Sequence, residues 1–226
     1  GLAKSHRGSF NLTRPDTMVS HTIDALLDRN AAVDPGEVED VTVGIGDHVG
    51  EQGGNMARLA VVLSKLPITT AATTINRFCS SGIQSVAFAA NQIASGQTEV
   101  AMAGGVESIS MYARQTAPEY EMNPRLLKEK PDIFMAMGNT AEVVARRYNV
   151  SRETQDKYAL QSQSRYAHAA EQGWIADEIV PMTVTMKVVD KESGEEHLVE
   201  TVVDRDECNR PGTTMEGLSG LKPAFE

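Results

Sequence analysis

Cysteine is scarce in this chain: only Cys79 and Cys208 occur among 226 residues, far apart in sequence. A disulfide scaffold and a cysteine-based metal cluster are therefore not expected, and a reducing compartment, the cytoplasm, fits the pair best. Any targeting signal would precede Gly1. Long apolar runs are missing too, which excludes a membrane-spanning helix. Basic residues are outnumbered, 21 Lys and Arg against 31 Asp and Glu, for a net charge of -10. That balance, without clustered Lys or Arg, argues against a nucleic-acid surface. An acidic chain that takes a polyanionic ligand must gather its positive charge locally. There is no internal repeat and no low-complexity tract. What is present is ordinary: 41% hydrophobic residues, enough to bury one good core or a core with a smaller subdomain.

The first half alternates helix and strand. From Asp16 to Asn30, apolar Val19, Ile23, Leu26 and Leu27 oppose Asp24, Asp28 and Arg29, the pattern of an amphipathic helix. Asp34-Pro35 reads as a cap with proline in the first turn, Val41 to Gly46 as a buried strand, and Gly53 to Arg58 as the opening of a helix through Leu59, Val62 and Leu63. A further strand, helix and strand give a mainly parallel sheet with helices on both faces. From Tyr112 to Lys130 the period is lost and the segment reads as a surface excursion. Helices follow around Ala141 to Tyr148 and from Ser151 to Gln172, with Ser151 as N-cap and Gly173 as stop. Met182 to Val189 and His197 to Val203 then form a hairpin through Lys191-Glu192-Ser193-Gly194.

Cys79 sits where strand gives way to helix. Ala71-Ala72-Thr73-Thr74-Ile75 is small and β-branched, suiting a strand packed on both faces, whereas Ile83, Val86, Ala87, Ala90 and Ala94 recur at helical spacing as the stripe of a buried helix. A thiol at such a junction meets free N–H groups and the positive end of the helix dipole, which favour thiolate over thiol. The geometry resembles the strand–turn–helix elbow of α/β-hydrolases with sulfur in place of oxygen. A cysteine beside a buried helix is, taken alone, more often a small core hydrophobe.

The run Asn76-Arg77-Phe78-Cys79-Ser80-Ser81-Gly82 closely resembles the nucleophile motif of the thiolases. Val100 to Met111, with its Gly104-Gly105-Val106-Glu107-Ser108 turn, resembles a strand of that family. Met137-Gly138-Asn139-Thr140, Ser151-Arg152-Glu153-Thr154, Asp177-Glu178-Ile179-Val180-Pro181, Asp206-Glu207-Cys208-Asn209-Arg210 and Leu221-Lys222-Pro223-Ala224-Phe225 are similar to its loop domain and the exit from it. The order matches throughout.

The resemblance implies a thiolase-like N-terminal α/β domain over 1–111, an inserted α+β loop domain that binds coenzyme A over 112–215, and a return segment over 216–226. The C-terminal duplicate domain would be absent from this chain. The implied reaction is thiolytic cleavage of 3-ketoacyl-CoA, or the reverse condensation, through an acyl-Cys79 intermediate in ping-pong fashion. The Cys79 N–H would help form the oxyanion hole. Arg210 would meet the adenine and phosphate of coenzyme A, Met137 would line the pantetheine and acyl channel, and Phe225 would stand at the pantetheine tunnel. A solvated arginine and plain core packing are the ordinary alternatives for Arg210 and Met137. Gly104 and Gly105 would provide tight backbone turns, and Glu107 would be a satisfied buried carboxylate without a catalytic role. Coenzyme A enters as substrate; no permanently bound cofactor and no metal is expected, and the partners implied are acyl-CoA, CoA and a homodimer or homotetramer.

The chain also departs from the family pattern. His6, His21, His48, His168 and His197 are followed by Arg, Thr, Val, Ala and Leu, so no Gly-His-Pro motif is present. Cys208 lies in a charged segment and reads as a bystander thiol. The expectation is thus somewhat more than half of a thiolase, inactive by itself. The triplet around Cys79 resembles the degradative 3-ketoacyl-CoA type more than the biosynthetic acetoacetyl-CoA type. A carrier-protein condensing enzyme and a non-catalytic module for CoA binding or assembly are the other classes.

Overall fold

A computed structural model describes residues 3–112 and 122–225 of the chain. In order, the elements are α1 (Pro15–Arg29), β1 (Val38–Gly44), α2 (Met56–Leu63), β2 (Ala71–Ile75), α3 (Ser81–Ala94), β3 (Val100–Gly105), α4 (Ile109–Tyr112), α5 (Pro124–Glu129), α6 (Met137–Tyr148), α7 (Arg152–Glu171), β4 (Met182–Val189), β5 (Glu196–Val203) and α8 (Met215–Ser219). The chain gathers into two compact units, Gly1–Ala117 with Ile179–Glu207, and Pro118–Glu178 with Cys208–Glu226. The hairpin thus packs with the first unit, whereas the sequence reading groups it with the loop domain.

In the first unit, β2, β1 and β3 form a parallel sheet in that order, with β1 in the centre. Odd-numbered Val41, Val43 and Ile45 turn to one face, where Ile23 and Leu27 of α1 and Met56, Ala57, Ala60 and Val61 of α2 close a tight apolar core. Asn55 caps α2 by accepting from the Arg58 N–H at 3.3 Å, and Thr74 of β2 ties the same corner by accepting from the Ala57 N–H at 3.0 Å.

The other face carries α3, and here the structure corrects the sequence reading. The side of α3 against the sheet is Ser81, Ser85 and Ala89, while Ile83, Val86 and Phe88 are exposed at 72%, 49% and 43%. The expected buried stripe therefore faces outward. Close backbone approach dictates the choice: a Cβ on Gly44 would lie 2.4 Å from the Ser81 carbonyl carbon, and one on Gly105 would lie 3.2 Å from the Gly82 Cα. Only small residues fit between helix and strand at that distance. Ser85 hydroxyl donates to the Gly104 carbonyl at 2.7 Å, so the seam is held by polar groups. β2 is an edge strand covered only in part, not a strand packed on both faces.

The hairpin β4–β5 runs antiparallel, with Asp190 accepting from the Glu192 and Ser193 N–H groups and Gly194 at φ +74° closing the turn. Asn11 joins it to the first unit: its Oδ1 accepts from the Lys187 N–H at 2.9 Å and its Nδ2 donates to the Lys187 carbonyl at 2.7 Å. Glu207 closes the same unit by accepting from the Ser9 hydroxyl and, at 3.2 Å each, from the Ser9 and Lys4 N–H groups. Burial pushes this carboxyl up, but the Ser9 and Lys4 donors outweigh it and hold it below its ordinary value of 4.5. A carboxyl depressed on folding stabilises above its unfolded value and loses that contribution as pH falls through the folded one. The melting-temperature gap between the parent and Glu207→Gln should therefore be widest at neutral pH and close below pH 4.5. A gap that stays constant across that range would show that Glu207 stabilises by some other means.

In the second unit α6 begins at Met137, a turn earlier than the periodicity predicts, and ends at Asn149 in the left-handed region, φ 53°. Ser151 caps α7 through the Thr154 N–H at 3.2 Å, and Gly173 at φ +76° follows its end, both as the sequence indicates. The excursion from Tyr112 to Lys130 holds the short helix α5, capped by Asn123; residues 113–121 lie outside the described residues.

Candidate active site

Between β2 and α3 the chain makes a single tight 3-10 turn, Phe78–Ser80, and Cys79 is its middle residue. The expected junction is present, with this turn inserted before the α-helix. Phe78 stands at φ +46°, a conformation that a bulky L-residue rarely adopts. It is held from both sides: its N–H donates to Asn76 Oδ1 at 2.7 Å, and its carbonyl accepts from the Ser81 hydroxyl at 2.6 Å. The same Ser81 oxygen accepts the Arg77 N–H at 2.9 Å. In the hydrolase elbow the nucleophile itself bears the strain; here its predecessor does.

Cys79 is exposed rather than buried, which removes the core-hydrophobe alternative. It lines a cleft of about 520 Å³ with Gly46, Asp47, Phe78, Gly82 and Glu107 among its walls. A partly open setting is what a reactive thiol requires. The N–H groups at the start of a helical turn have no partner within it. That of Phe78 is taken by Asn76, which leaves the Cys79 N–H as the donor beside the thiol.

Glu107 is the residue that the sequence reading undervalued. It is hydrogen-bonded as expected, but it is exposed on the cleft rather than buried. Its Oε2 accepts from the Gly46 N–H at 2.6 Å and its Oε1 accepts from Gln52 Nε2. Gln52 is fully buried and donates also to the Asp47 carbonyl at 2.7 Å, while its Oε1 accepts from the Ser108 N–H at 2.9 Å. A Cβ on Gly46 would lie 2.8 Å from Glu107 Oε2, so any larger residue there would push the carboxylate aside. Of the glycine pair that ends β3, Gly105 serves close approach and Gly104 has open space around its Cβ position.

The remaining candidates lie in the second unit. Met137 opens α6 and is 74% exposed, which sets aside core packing; it lines a groove of about 460 Å³ with Thr140, Ala141 and Val144. Phe225 lies on the neighbouring residue, its ring atoms 2.1 to 2.4 Å from where a Cβ on Gly138 would stand. The structure thus brings the Met137-Gly138 corner and Phe225 together. Phe225 also lines a groove of about 770 Å³ with Arg152, Asp156 and Leu221. Arg210 is exposed and its segment is pinned to α7: its N–H donates to Gln163 Oε1 at 2.7 Å, and Asn209 Nδ2 donates to the Gln163 carbonyl at 3.0 Å. Cys208 is exposed beside it. Among the described residues no group of three or more His, Cys, Asp or Glu is placed to hold a metal ion, and no helix is long and apolar enough to cross a membrane.

Comparison with known proteins places this arrangement. The family description "Thiolase, N-terminal domain" matches residues 2–226. The 3-ketoacyl-CoA thiolase of Bacillus subtilis (strain 168) is 41% identical over 230 residues, covering 99% of this chain and 56% of that protein. The peroxisomal 3-ketoacyl-CoA thiolase of Homo sapiens is 41% identical over 227 residues, covering 100% of this chain and 51% of that protein. The 3-ketoacyl-CoA thiolase of Aliivibrio fischeri (strain ATCC 700601 / ES114) is 36% identical over 225 residues, covering 100% and 55%. The chain spans about half the length of the curated relatives it matches. Bacterial and peroxisomal proteins are both among them, so they set no single compartment.

Proposed function

This chain belongs to the thiolase family, and we propose that it is the nucleophile-bearing part of an acetyl-CoA C-acyltransferase that cleaves 3-ketoacyl-CoA with coenzyme A. The observation that carries the reading is Cys79: an exposed thiol, delivered by a strained turn into an open cleft at the head of α3. The thiolate attacks the ketone carbon and the bond between the α and β carbons breaks. The electron pair of that bond leaves as the enolate of acetyl-CoA, which takes a proton from an acid. The shortened acyl group remains on sulfur as a thioester, and the thiol of a second coenzyme A then displaces it and regenerates Cys79. The Cys79 N–H stabilises the oxygen that gains charge in both steps. Family members place the acid and base in a C-terminal domain, so the reading assigns those roles to residues outside this chain.

Met137, Phe225 and Arg210 are the coenzyme A contacts in this reading. The open groove at Met137 suits a flexible acyl or pantetheine chain, and the exposed guanidinium of Arg210 suits adenine stacking and phosphate charge. The degradative direction is favoured by the relatives, which are named 3-ketoacyl-CoA thiolases. A homodimer or homotetramer belongs to the same reading.

The test is intact mass and peptide mapping of the full-length protein after mixing with a 3-ketoacyl-CoA. The expected result is an acyl mass on the Cys79 peptide that disappears when coenzyme A is added. A protein that binds the thioester yet never carries acyl on Cys79 would leave only a binding or assembly role.

A further inference from the structure

The turn that presents Cys79 is connected by side chains to a buried anchor. Asn76 works in both directions: its Oδ1 accepts from the Phe78 N–H at 2.7 Å, and its Nδ2 donates to the Gly46 carbonyl at 2.8 Å. Gly46 is gripped at its other end as well, where its N–H donates to Glu107 Oε2 at 2.6 Å. Glu107 is in turn fixed by Gln52, which has no exposed surface and is itself held by the Asp47 carbonyl and the Ser108 N–H. An unbroken series of hydrogen bonds therefore runs from the protein interior to the residue preceding the thiol.

We propose that Asn76 and Glu107 are positioning residues: together they clamp Gly46 and hold Phe78 in its left-handed conformation, so that the Cys79 thiol stands in the cleft. Phe78 would relax toward an ordinary backbone conformation without an acceptor for its N–H, and that relaxation rotates the next residue. Asn76 supplies the acceptor, and its own direction is set by Gly46, whose place depends on Glu107. A single carboxylate can thus fix the thiol without touching substrate, because a bonded network transmits orientation through groups with little freedom. Hydrogen bonds from the Gly46 N–H and Gln52 Nε2 fix both of its oxygens in place, so the role assigned to it is orientation of the turn. The inference rests on the reading of Cys79 as nucleophile.

The experiment measures alkylation of Cys79 by iodoacetamide in the full-length protein, by peptide mapping, with exposed Cys208 as internal reference. Asn76→Ala and Glu107→Gln should each slow Cys79 by about tenfold while Cys208 is unchanged, and should lower kcat with KM held. Asn76→Asp, which keeps the acceptor for Phe78, should recover part of the Asn76→Ala loss. Should Asn76→Ala fail to fold, seen as loss of its cooperative melting transition, Glu107→Gln decides. Equal rates in parent and variants, or equal slowing of both cysteines, would overturn the proposal. Alkylation needs no ketoacyl-CoA, so a protein whose Cys79 never acylates but whose alkylation follows Asn76 would sink the enzymatic reading and keep the clamp.

Discussion

Replacing Cys79 with serine in the full-length protein should reduce kcat for 3-ketoacyl-CoA cleavage by about 10⁴-fold or more, with acyl-CoA affinity little changed. The substitution is nearly isosteric and sits at an exposed position in a loop-like turn, so the fold should lose no more than about 0.5 kcal/mol. Activity falls because an alcohol is a far weaker nucleophile than a thiol at neutral pH: a few per cent of free thiol is thiolate there and intrinsically very nucleophilic, whereas a serine hydroxyl stays protonated. A 10⁴-fold loss corresponds to about 5.5 kcal/mol of transition-state stabilisation. The check is single-turnover kinetics with a parallel melting curve. A variant that keeps more than a tenth of parental turnover would remove Cys79 from the chemistry, whatever its sequence context.

What the sequence made legible was local. The cap at Ser151, the left-handed stop at Gly173 and the strand from Ala71 to Ile75 each follow from residues within a turn of one another, and each stands where the pattern places it. The place of Cys79 was readable for the same reason. The orientation of α3 was not. Its apolar spacing at Ile83, Val86, Ala87 and Ala90 gives a strong periodic signal, but a helix seated against glycine backbones is oriented by contact distance, and Ser81, Ser85 and Ala89 win that side. The exposed setting and partners of Glu107 are not legible for a different reason. Its partners Gly46 and Gln52 lie 61 and 55 residues away, and only the parallel crossovers bring them to one cleft.

Gly44→Ala should be strongly destabilising, because the added carbon would meet Ser81 C and O at 2.4 Å and Gly82 N at 2.8 Å. All three are backbone atoms, so no rotamer change relieves the clash; ordinary contact begins at 3.4 Å, and α3 must move by about 1 Å. Moving Ser81 loosens its bonds to the Arg77 N–H and the Phe78 carbonyl, so the strain reaches the nucleophile turn directly. Overpacking of this kind costs about 3 kcal/mol, a fall in melting temperature of roughly 6–12 °C for a chain of this size. Gly104→Ala is the matched control: it adds the same methyl one residue from Gly105, where nothing lies within 4 Å, and should change stability by less than about 1 kcal/mol. Two variants with equal melting temperatures would mean that α3 does not sit on β1 as described. If only Gly44→Ala melts early and its Cys79 alkylates more slowly than the parent's, the glycine seam is what aligns strand, helix and thiol.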